Sequence, residues 1–176
     1  MCKKSIKRIA VLTSGGDSPG MNACIRAVVR TGISKDIEVV GIKRGFNGLL
    51  SESNELWIMS ASDVSGTISK GGTILHTARS KEFNSVEGVA KGAAFCKANN
   101  IEGVVVCGGD GSFRGAHDLS KAGIPCVAIP CTIDNDIGSS YYTVGFDTAL
   151  NTAMASIDRV RDTTEALDRC SVVEVM

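Results

Sequence analysis

The 176-residue chain has no excess of charge of either sign, because 19 lysines and arginines balance 19 aspartates and glutamates. Binding to nucleic acid or to a membrane surface through general charge needs a cationic excess, so we expect neither partner. A long hydrophobic run is also missing, since the apolar stretch after the basic N-terminus covers only Ile9–Leu12. That stretch is too short for a signal peptide or a membrane span. We therefore expect an untargeted, soluble protein of the cytoplasm.

The chain also lacks the cysteine and histidine spacings of disulfide frameworks and zinc sites. Its seven cysteines are odd in number and scattered, and none forms a C-x-x-C pair. The two histidines, His76 and His117, are far apart in sequence and have no ligand spacing. These patterns predict reduced thiols and structural histidines, and they argue against a zinc site or a catalytic triad.

Prolines are few, 3 against 20 glycines, and the glycines cluster between apolar runs. Short β-branched runs that end in such clusters are typical of buried strands, and apolar residues three or four apart are typical of helices. The two patterns alternate, which predicts a doubly wound α/β fold with a mostly parallel sheet and helices on both faces. The predicted strands are 8–13, 37–42, 101–107 and 125–129, and the predicted helices are 21–35, 62–69, 86–99, a short one ending near 121, and 146–167.

The last part of the chain predicts the start of a second domain. The long helix 146–167 would turn Leu150, Ala153, Ile157 and Val160 inward, and a further strand would begin at Ser171. The polar loop 137–140 is the plausible boundary, so we expect one domain over 1–144 and the beginning of another over 145–176. Because the final strand would lack a following crossover, this pattern favours a fragment of a longer protein.

Three polar clusters follow predicted strands: Ser14–Asn22, Gly108–Ser112 and Thr132–Asp136. Ligands of open α/β sheets bind at the carboxyl ends of the strands, where helix N-termini attract anions. Glycines there let backbone amides approach a phosphate. The carboxylate of Asp110 would repel phosphate unless a cation lay between them, which favours a magnesium nucleotide.

Other interpretations of these residues stay open. The glycine clusters could be tight turns, Asp134 and Asp136 could cap an Asx turn, and Arg79 could be a solvated surface residue. A Rossmann fingerprint fits poorly, because three residues separate the last two glycines of the Gly109, Gly111, Gly115 set where the pattern needs two. A Walker A sequence is absent. The convergence of the clusters favours phosphoryl transfer, with Asp134 and Asp136 as base and positioning or metal partner.

The three clusters together resemble the N-terminal half of bacterial-type 6-phosphofructokinase, on Gly15–Asn22, Gly108–Ser112 and Pro130–Asp136. Asp158–Thr163 and the ending Ser171–Met176 extend the similarity. The resemblance implies transfer of the γ-phosphoryl group of MgATP to the 1-hydroxyl of fructose 6-phosphate, a reaction of glycolysis. It also implies a homotetramer whose sugar site is shared between subunits, with residues 1–144 as an incomplete nucleotide-binding domain.

Roles of single residues follow from the same resemblance. It implies Asp134 as the base that accepts the hydroxyl proton, Arg79 as the transition-state arginine and Asp110 as the Mg²⁺ ligand. Further residues would contact the nucleotide, the sugar phosphate or an allosteric effector. The residues expected to contact the nucleotide are Gly15, Gly16, Arg79, Ser80, Gly109, Asp110, Gly111 and Ser112. Those expected to contact the sugar phosphate are Thr132, Ile133, Asp134, Arg169 and Met176, and the resemblance gives catalytic roles to Thr132 and to Asp136. Those expected to bind an effector are Arg26, Arg30 and Arg161.

The resemblance also bears on the phosphoryl donor. Pyrophosphate-dependent members of the family carry Asp where this chain has Gly111 and Lys where it has Cys131, so ATP is the expected donor. Ser80 and Lys43 replace an aromatic residue and a tyrosine of the family pattern, which predicts altered contacts to the base. Ile58 replaces an arginine, which argues against control by a nucleoside diphosphate.

Three alternatives to this function stay open. One is a pyrophosphate-dependent phosphofructokinase. Another is a different kinase with a Gly-Gly-Asp-Gly loop, such as an NAD or diacylglycerol kinase, which resembles the chain only around Gly108–Ser112. The last is a non-enzymatic module that senses a nucleotide or a sugar phosphate. Because family members run to nearly twice this length, we expect about half an enzyme, with an incomplete acceptor side.

Overall fold

The computed structural model describes residues 6–51, 56–138 and 140–175, which form a sheet with helices on both faces. The strands and helices alternate over most of the chain, as the sequence predicts. The strands are β1 (Arg8–Thr13), β2 (Glu38–Ile42), β3 (Trp57–Ile58), β4 (Val104–Gly108), β5 (Cys126–Thr132) and β6 (Val144–Gly145). The helices are α1 (Met21–Ile33), α2 (Val86–Ala98), α3 (Asp110–Lys121) and α4 (Phe146–Ala166), with short 3-10 helices at Gly45–Leu49 and Glu82–Asn84.

The six strands lie in the order β3-β2-β1-β4-β5-β6. All neighbouring pairs are parallel except β2 and β3, whose antiparallel pairing places Gly41 opposite Trp57. The mostly parallel, doubly wound arrangement is therefore confirmed. Because β1, β4 and β5 are adjacent and parallel, their carboxyl ends lie side by side at one edge of the sheet.

Alternate side chains of the central strands enter two separate cores, as strand geometry requires. One core joins Leu12 and Val106 to α2, α3 and the 3-10 helices, and it includes Phe46 and Phe83. The other joins Val11 and the end of β4 to α1 through Met21, Ile25 and Val29, which are fully buried. The apolar stripe of α1 thus packs on one face of the sheet, while α2 and α3 cover the other.

The predicted helix 62–69 is wrong, because residues 61–66 form successive turns. Asp63 accepts hydrogen bonds at 2.7 Å from both the amide and the hydroxyl of Ser60, and the Thr67 hydroxyl donates to the Val64 carbonyl at 2.9 Å. Gly66 has a φ of +65°. Ser, Thr and Asp side chains that bond local backbone groups compete with helix formation, which explains the difference.

Two expectations for the last part of the chain are also wrong. The helix α4 forms close to its predicted bounds, yet it has no buried residue. Leu150, Ile157 and Val160 are 49%, 43% and 42% exposed, so the stripe predicted to face inward has no cover among the described residues. Residues 171–175 form no strand, and Val172 is 93% exposed. Periodicity identifies the apolar face of a helix, but burial needs an element to pack against it.

None of the helices in the described ranges is both long enough and apolar enough to cross a membrane.

Candidate active site

The three polar clusters meet at the carboxyl ends of β1, β4 and β5, where they surround a cleft of about 550 Å³. We call it the loop cleft. Its walls come from these clusters, from the loop 71–80 and from the first turn of α3. The lining residues are Ser14, Gly15, Gly16, Asp17, Phe46, Arg79, Ser80, Phe83, Asn84, Gly109, Gly111, Ser112, Gly115, Cys131, Thr132, Ile133 and Asp134.

A buried hydrogen-bond pair joins the first two clusters. The Ser14 amide donates to the Cys107 carbonyl at 3.0 Å, and the Ser112 hydroxyl donates to the Ser14 carbonyl at 3.0 Å. A Cβ atom on Gly108 would meet the Ser112 hydroxyl and would lie 2.6 Å from the Ser14 carbonyl oxygen. Only glycine allows the loops to approach this closely, so Gly108 sets the width of the cleft.

The helix α3 begins at the loop cleft without a side-chain cap, directly after Gly109. The helix α1, which starts after Gly20 with a φ of +91°, also lacks a side-chain cap, but its first residues do not line the cleft. First-turn amides that no side chain caps can bind an anion, and the helix dipole favours negative charge there. Cβ atoms on Gly16 or Gly111 would meet nothing within 4 Å, so both glycines border open space. This arrangement can hold phosphate groups against backbone amides.

The loop 71–80 is tied to the first cluster and brings Arg79 into the cleft wall. The Gly15 amide donates to the Ala78 carbonyl at 3.3 Å, and the Thr77 hydroxyl donates to the Gly15 carbonyl at 3.0 Å. Asn22, which is 1% exposed, donates to the carbonyls of Lys70 and Gly71 at 3.0 and 3.2 Å. Its side-chain oxygen also accepts from the Ile74 amide at 2.8 Å. These bonds fix the loop that carries Arg79.

The third cluster is a compact turn that presents Asp134 to the cleft. The Asp134 amide donates to the Thr132 hydroxyl at 3.2 Å, and that hydroxyl donates to Oδ2 of Asp134 at 3.5 Å. Asn135 has a φ of +49°, and its side-chain oxygen accepts from the Thr143 amide at 2.9 Å. The Thr143 hydroxyl donates to the Thr132 carbonyl at 2.7 Å. Oδ1 of Asp134 has no protein hydrogen bond among the described residues, so it can accept one from a ligand.

The structure brings most of the predicted nucleotide, catalytic and sugar residues together, since ten of them line the loop cleft. Asp110 and Asp136 are exposed and do not line it, although Asp110 lies between Gly109 and Gly111, which do. The Asp110 carboxylate instead pairs with Arg114 one turn along α3, at 2.7 Å. The ten are Gly15, Gly16, Arg79, Ser80, Gly109, Gly111, Ser112, Thr132, Ile133 and Asp134.

The predicted effector and distal sugar residues lie away from the loop cleft. Arg26 donates to the Val64 carbonyl at 2.8 Å, and Arg30 is exposed on the same helix, α1. Arg161 of α4 pairs with Asp158 at 3.2 Å, and Arg169 is exposed after that helix. Met176 falls outside the described residues.

The sequence analysis missed two aromatic residues in the cleft wall. The rings of Phe46 and Phe83 stack with centroids 4.2 Å apart, and both are almost fully buried. A Cβ atom on Gly115 would lie 2.7 Å from the Phe46 ring, so this glycine admits the ring against α3. Lys43, which replaces a tyrosine of the family pattern, does not line the cleft, and its ammonium group lies 5.3 Å from the centre of the Trp57 ring. Single phenylalanines in short 3-10 helices carry no periodic signal that could have identified this wall.

The donors present fit a magnesium ion that arrives with phosphates. No three His, Cys, Asp or Glu side chains of the described ranges could hold a metal ion together. Magnesium usually keeps several waters and takes only one or two carboxylates together with substrate phosphates. Asp110, between two glycines of the cleft wall, can supply one carboxylate if its pairing with Arg114 is released.

A second cleft, of about 590 Å³, lies at the opposite edge of the sheet and is lined by residues such as Lys7, Arg8 and Glu102. Arg8 pairs with Glu38 there, and the Lys7 amide donates to Glu102 at 2.6 Å. It lies at the amino ends of the strands, where the helices of a parallel α/β sheet end and their dipoles do not favour anions. The helix dipoles therefore favour anions at the loop cleft rather than at this second cleft.

Comparison with known proteins decides the family. The sequence model described as "Phosphofructokinase" matches residues 8–176. The chain belongs to the phosphofructokinase family. This membership confirms the family resemblance found in the sequence.

Curated relatives of this phosphofructokinase-family chain include two clostridial proteins. It is 55% identical over 171 residues to the ATP-dependent 6-phosphofructokinase of Clostridium botulinum and 54% identical to that of Clostridium tetani. Each alignment covers 97% of this chain and 53% of the relative. The phosphofructokinase structure from Saccharomyces cerevisiae superposes with a TM-score of 0.84 at 38% identity, over 91% of this chain and 24% of that one. The chain spans about half the length of the curated relatives that it matches.

Proposed function

We propose that this chain is the donor-side part of an enzyme that transfers the γ-phosphoryl group of MgATP to the 1-hydroxyl of fructose 6-phosphate. The products would be ADP and fructose 1,6-bisphosphate, a reaction of glycolysis in the cytoplasm. The convergence of three loops on one cleft carries the proposal, because it joins the uncapped N-terminus of α3, Arg79 and the Asp134 carboxylate. The names of the clostridial relatives support the choice of ATP and of the sugar phosphate.

The phosphates of the nucleotide would lie against the glycines of the first two clusters. Gly16 and Gly111 border open space, and the first turn of α3 presents uncapped amides beside it. Asp110 would hold the magnesium ion together with phosphate oxygens and water. When bound, magnesium neutralises charge on the transferring group. Phe46 and Phe83 add an apolar wall to the same cleft.

Asp134 is proposed as the base that accepts the proton of the sugar hydroxyl. Thr132 fixes the carboxylate through Oδ2, which leaves Oδ1 for the hydroxyl. Phosphoryl transfer depends on positioning and charge stabilisation, so a base held by a short turn suits the reaction. Arg79, held by the braced loop 71–80, would stabilise negative charge on the transferring group. Asp136 would position the turn from outside the cleft.

The remaining roles extend beyond the loop cleft. Thr132 and Ile133 would contact the sugar, while Arg169 and Met176 would complete a sugar site shared between subunits of a homotetramer. Arg26, Arg30 and Arg161 would form an effector site. Gly111 and Cys131 support ATP as donor over pyrophosphate, since neither adds a charge beside the phosphates.

A coupled assay of the gene product with ATP and pyrophosphate side by side tests the proposed reaction. We expect fructose 1,6-bisphosphate to form with ATP and magnesium, and much less to form with pyrophosphate. Absence of product with either donor would contradict the proposal. If MgATP bound without turnover even when fructose 6-phosphate was present, the chain would act as a nucleotide-binding module.

A further inference from the structure

Three cysteines from three different elements meet beneath the loop cleft. Cys24 lies in the second turn of α1, Cys107 near the end of β4 and Cys131 near the end of β5. The sulfur atoms of Cys24 and Cys131 are 3.8 Å apart. Cys107 and Cys131 are buried, whereas Cys24 is partly exposed, and all three thiols are free. We call these residues the thiol cluster.

Strand geometry selects one pair within the thiol cluster. The register of β4 and β5 pairs Cys107 with Ile129, so Cys131 lies two residues further along the neighbouring strand. Strands about 4.8 Å apart and a rise of about 6.6 Å over two residues separate those Cα atoms by about 8 Å. This exceeds the Cα separation that disulfides allow, about 4.4–6.8 Å. Cys24, which approaches Cys131 from the helix layer, has no such restriction.

The two members of that pair differ in their acidity. Hydrogen bonds from Cys107 and Cys131 lower the pKa of the Cys24 thiol. Hydrogen bonds with Cys107 and Cys24, together with burial, raise the pKa of Cys131. Thiolates react with peroxides and disulfides, and neutral thiols do so poorly. Cys24 is therefore the attacking group, because it is both partly exposed and the more acidic of the two.

We propose that Cys24 and Cys131 form a modification site for hydroperoxides, at which oxidation joins α1 to the end of β5 through a disulfide. The Cys24 thiolate attacks the peroxide O–O bond, which yields a sulfenic acid and releases hydroxide. The Cys131 sulfur then displaces the sulfenic hydroxyl and forms the S–S bond, and its proton leaves with that hydroxyl as water. The released hydroxide takes up the proton that Cys24 lost on ionisation, so the two thiols lose two electrons in total and one hydrogen peroxide molecule is reduced to two molecules of water.

This disulfide would act on two walls of the loop cleft. Cys131 directly precedes Thr132, which holds the Asp134 carboxylate, and α1 begins at the end of the first cluster. Closing the sulfur separation from 3.8 Å to about 2.05 Å draws the end of β5 toward α1. An effect on nucleotide or sugar binding would rest on the proposed function. Formation of the disulfide itself does not.

Peptide mapping after peroxide treatment tests the site. The chain carrying Cys2→Ser and Cys170→Ser, which limits links between molecules, is treated with a small molar excess of hydrogen peroxide. It is then alkylated and digested without reductant. We expect a peptide that links Cys24 to Cys131, formed about tenfold faster than oxidation of Cys96 or Cys126 and reversed by dithiothreitol.

Matched variants identify the pair. Cys24→Ser and Cys131→Ser should each abolish the linked peptide, whereas Cys96→Ala and Cys126→Ala should leave its rate unchanged. Circular dichroism tests whether each variant is folded. The linked peptide is also measured on the chain that keeps both Cys24 and Cys131, so the test does not depend on the folding of the variants. Oxidation that yields only unlinked sulfinic acids, or a link between Cys107 and Cys131, would overturn the proposal.

Discussion

The region around β1, β4 and β5 differs from the region after β6 in whether the apolar face of its helix is buried. Both regions contain a helix with an apolar stripe, yet α1 buries Met21, Ile25 and Val29, while α4 buries nothing. The difference arises because α1 lies on the sheet, whereas no described element covers the stripe of α4. An amphipathic pattern thus predicts which face of a helix is apolar, and burial depends on the element that packs there.

The hydrogen bonds of the two regions differ in the same way. In the loop cleft they join distant parts of the chain, as between Ser112 and Ser14 or between Asn22 and the loop 71–80. In α4 the side chains of Asn151, Thr152 and Ser156 donate to carbonyls four residues earlier in the same helix. Tertiary packing therefore fixes the cleft. Substitutions should affect the two regions very differently.

The largest effect is expected from Asp134→Asn, which removes the proposed base. Turnover should fall by roughly 10²–10⁴-fold, because a positioned general base contributes about that much. The affinity for MgATP should stay nearly constant, since the change preserves the size of the side chain. The coupled assay and calorimetry measure the two quantities. Asp118→Asn, on the exposed face of α3, is the matched control, and near-normal turnover of Asp134→Asn would remove that residue from the role.

A pair of isoleucine substitutions compares the two helices directly. Ile25→Ala in α1 should lower the free energy of unfolding by about 2–5 kcal/mol, because it leaves a cavity in a fully buried site. Ile157→Ala in α4, where the side chain is 43% exposed, should change it by less than about 0.5 kcal/mol. Urea denaturation of the chain measures both. Equal losses would show that α4 is buried in solution and would break the comparison.

Two glycines of the second cluster, Gly108 at the end of β4 and Gly111 at the start of α3, should respond in opposite ways. Gly108→Ala should cost about 1–3 kcal/mol of unfolding free energy, because the new methyl group would collide with Ser14 and Ser112. At Gly111, near the start of α3, a methyl group would enter open space. Gly111→Ala should therefore leave the unfolding free energy unchanged or raise it by up to about 1 kcal/mol. Thermal unfolding monitored by circular dichroism separates the two. Similar melting temperatures would show that the loops do not approach as closely as described.

The remaining prediction concerns stability at alkaline pH. Burial, and then the charge of Cys126, raises the pKa of Cys96 from 9.0 to about 12. Above pH 9 the unfolded chain loses this proton while the folded chain keeps it, so stability falls as pH rises between about 9 and 12. Wild type should lose about 1.4 kcal/mol more per pH unit than Cys96→Ala in this range. Parallel pH profiles for the two proteins would contradict a buried, neutral Cys96.

The sequence predicted the central part of the fold because its signals are local. The strand 8–13 agrees with β1, and the three glycine- and aspartate-containing clusters mark the ends of β1, β4 and β5. Their meeting at one cleft follows from adjacency in a parallel sheet. The pairing of Asp110 with Arg114 and the stacking of Phe46 on Phe83 could not be predicted, because they depend on side-chain contacts that no spacing reveals.

The failures have two physical causes. The turns at 61–66 arise from side chains such as Asp63 that bond local backbone groups. The exposure of α4 and the lack of a strand at 171–175 arise from missing packing partners among the described residues. The first cause lies within the segment itself, whereas the second lies in its surroundings.

Calorimetric titration of MgATP into the chain tests the central claim, that the three loops form a phosphate-binding cleft. The account predicts one binding site that Gly111→Asp weakens by about tenfold, because a carboxylate a few ångströms from phosphates that carry several negative charges costs about 1.4 kcal/mol. Gly138→Ala, which borders open space outside the cleft, should leave the affinity unchanged. Equal affinities for all three proteins would contradict the claim.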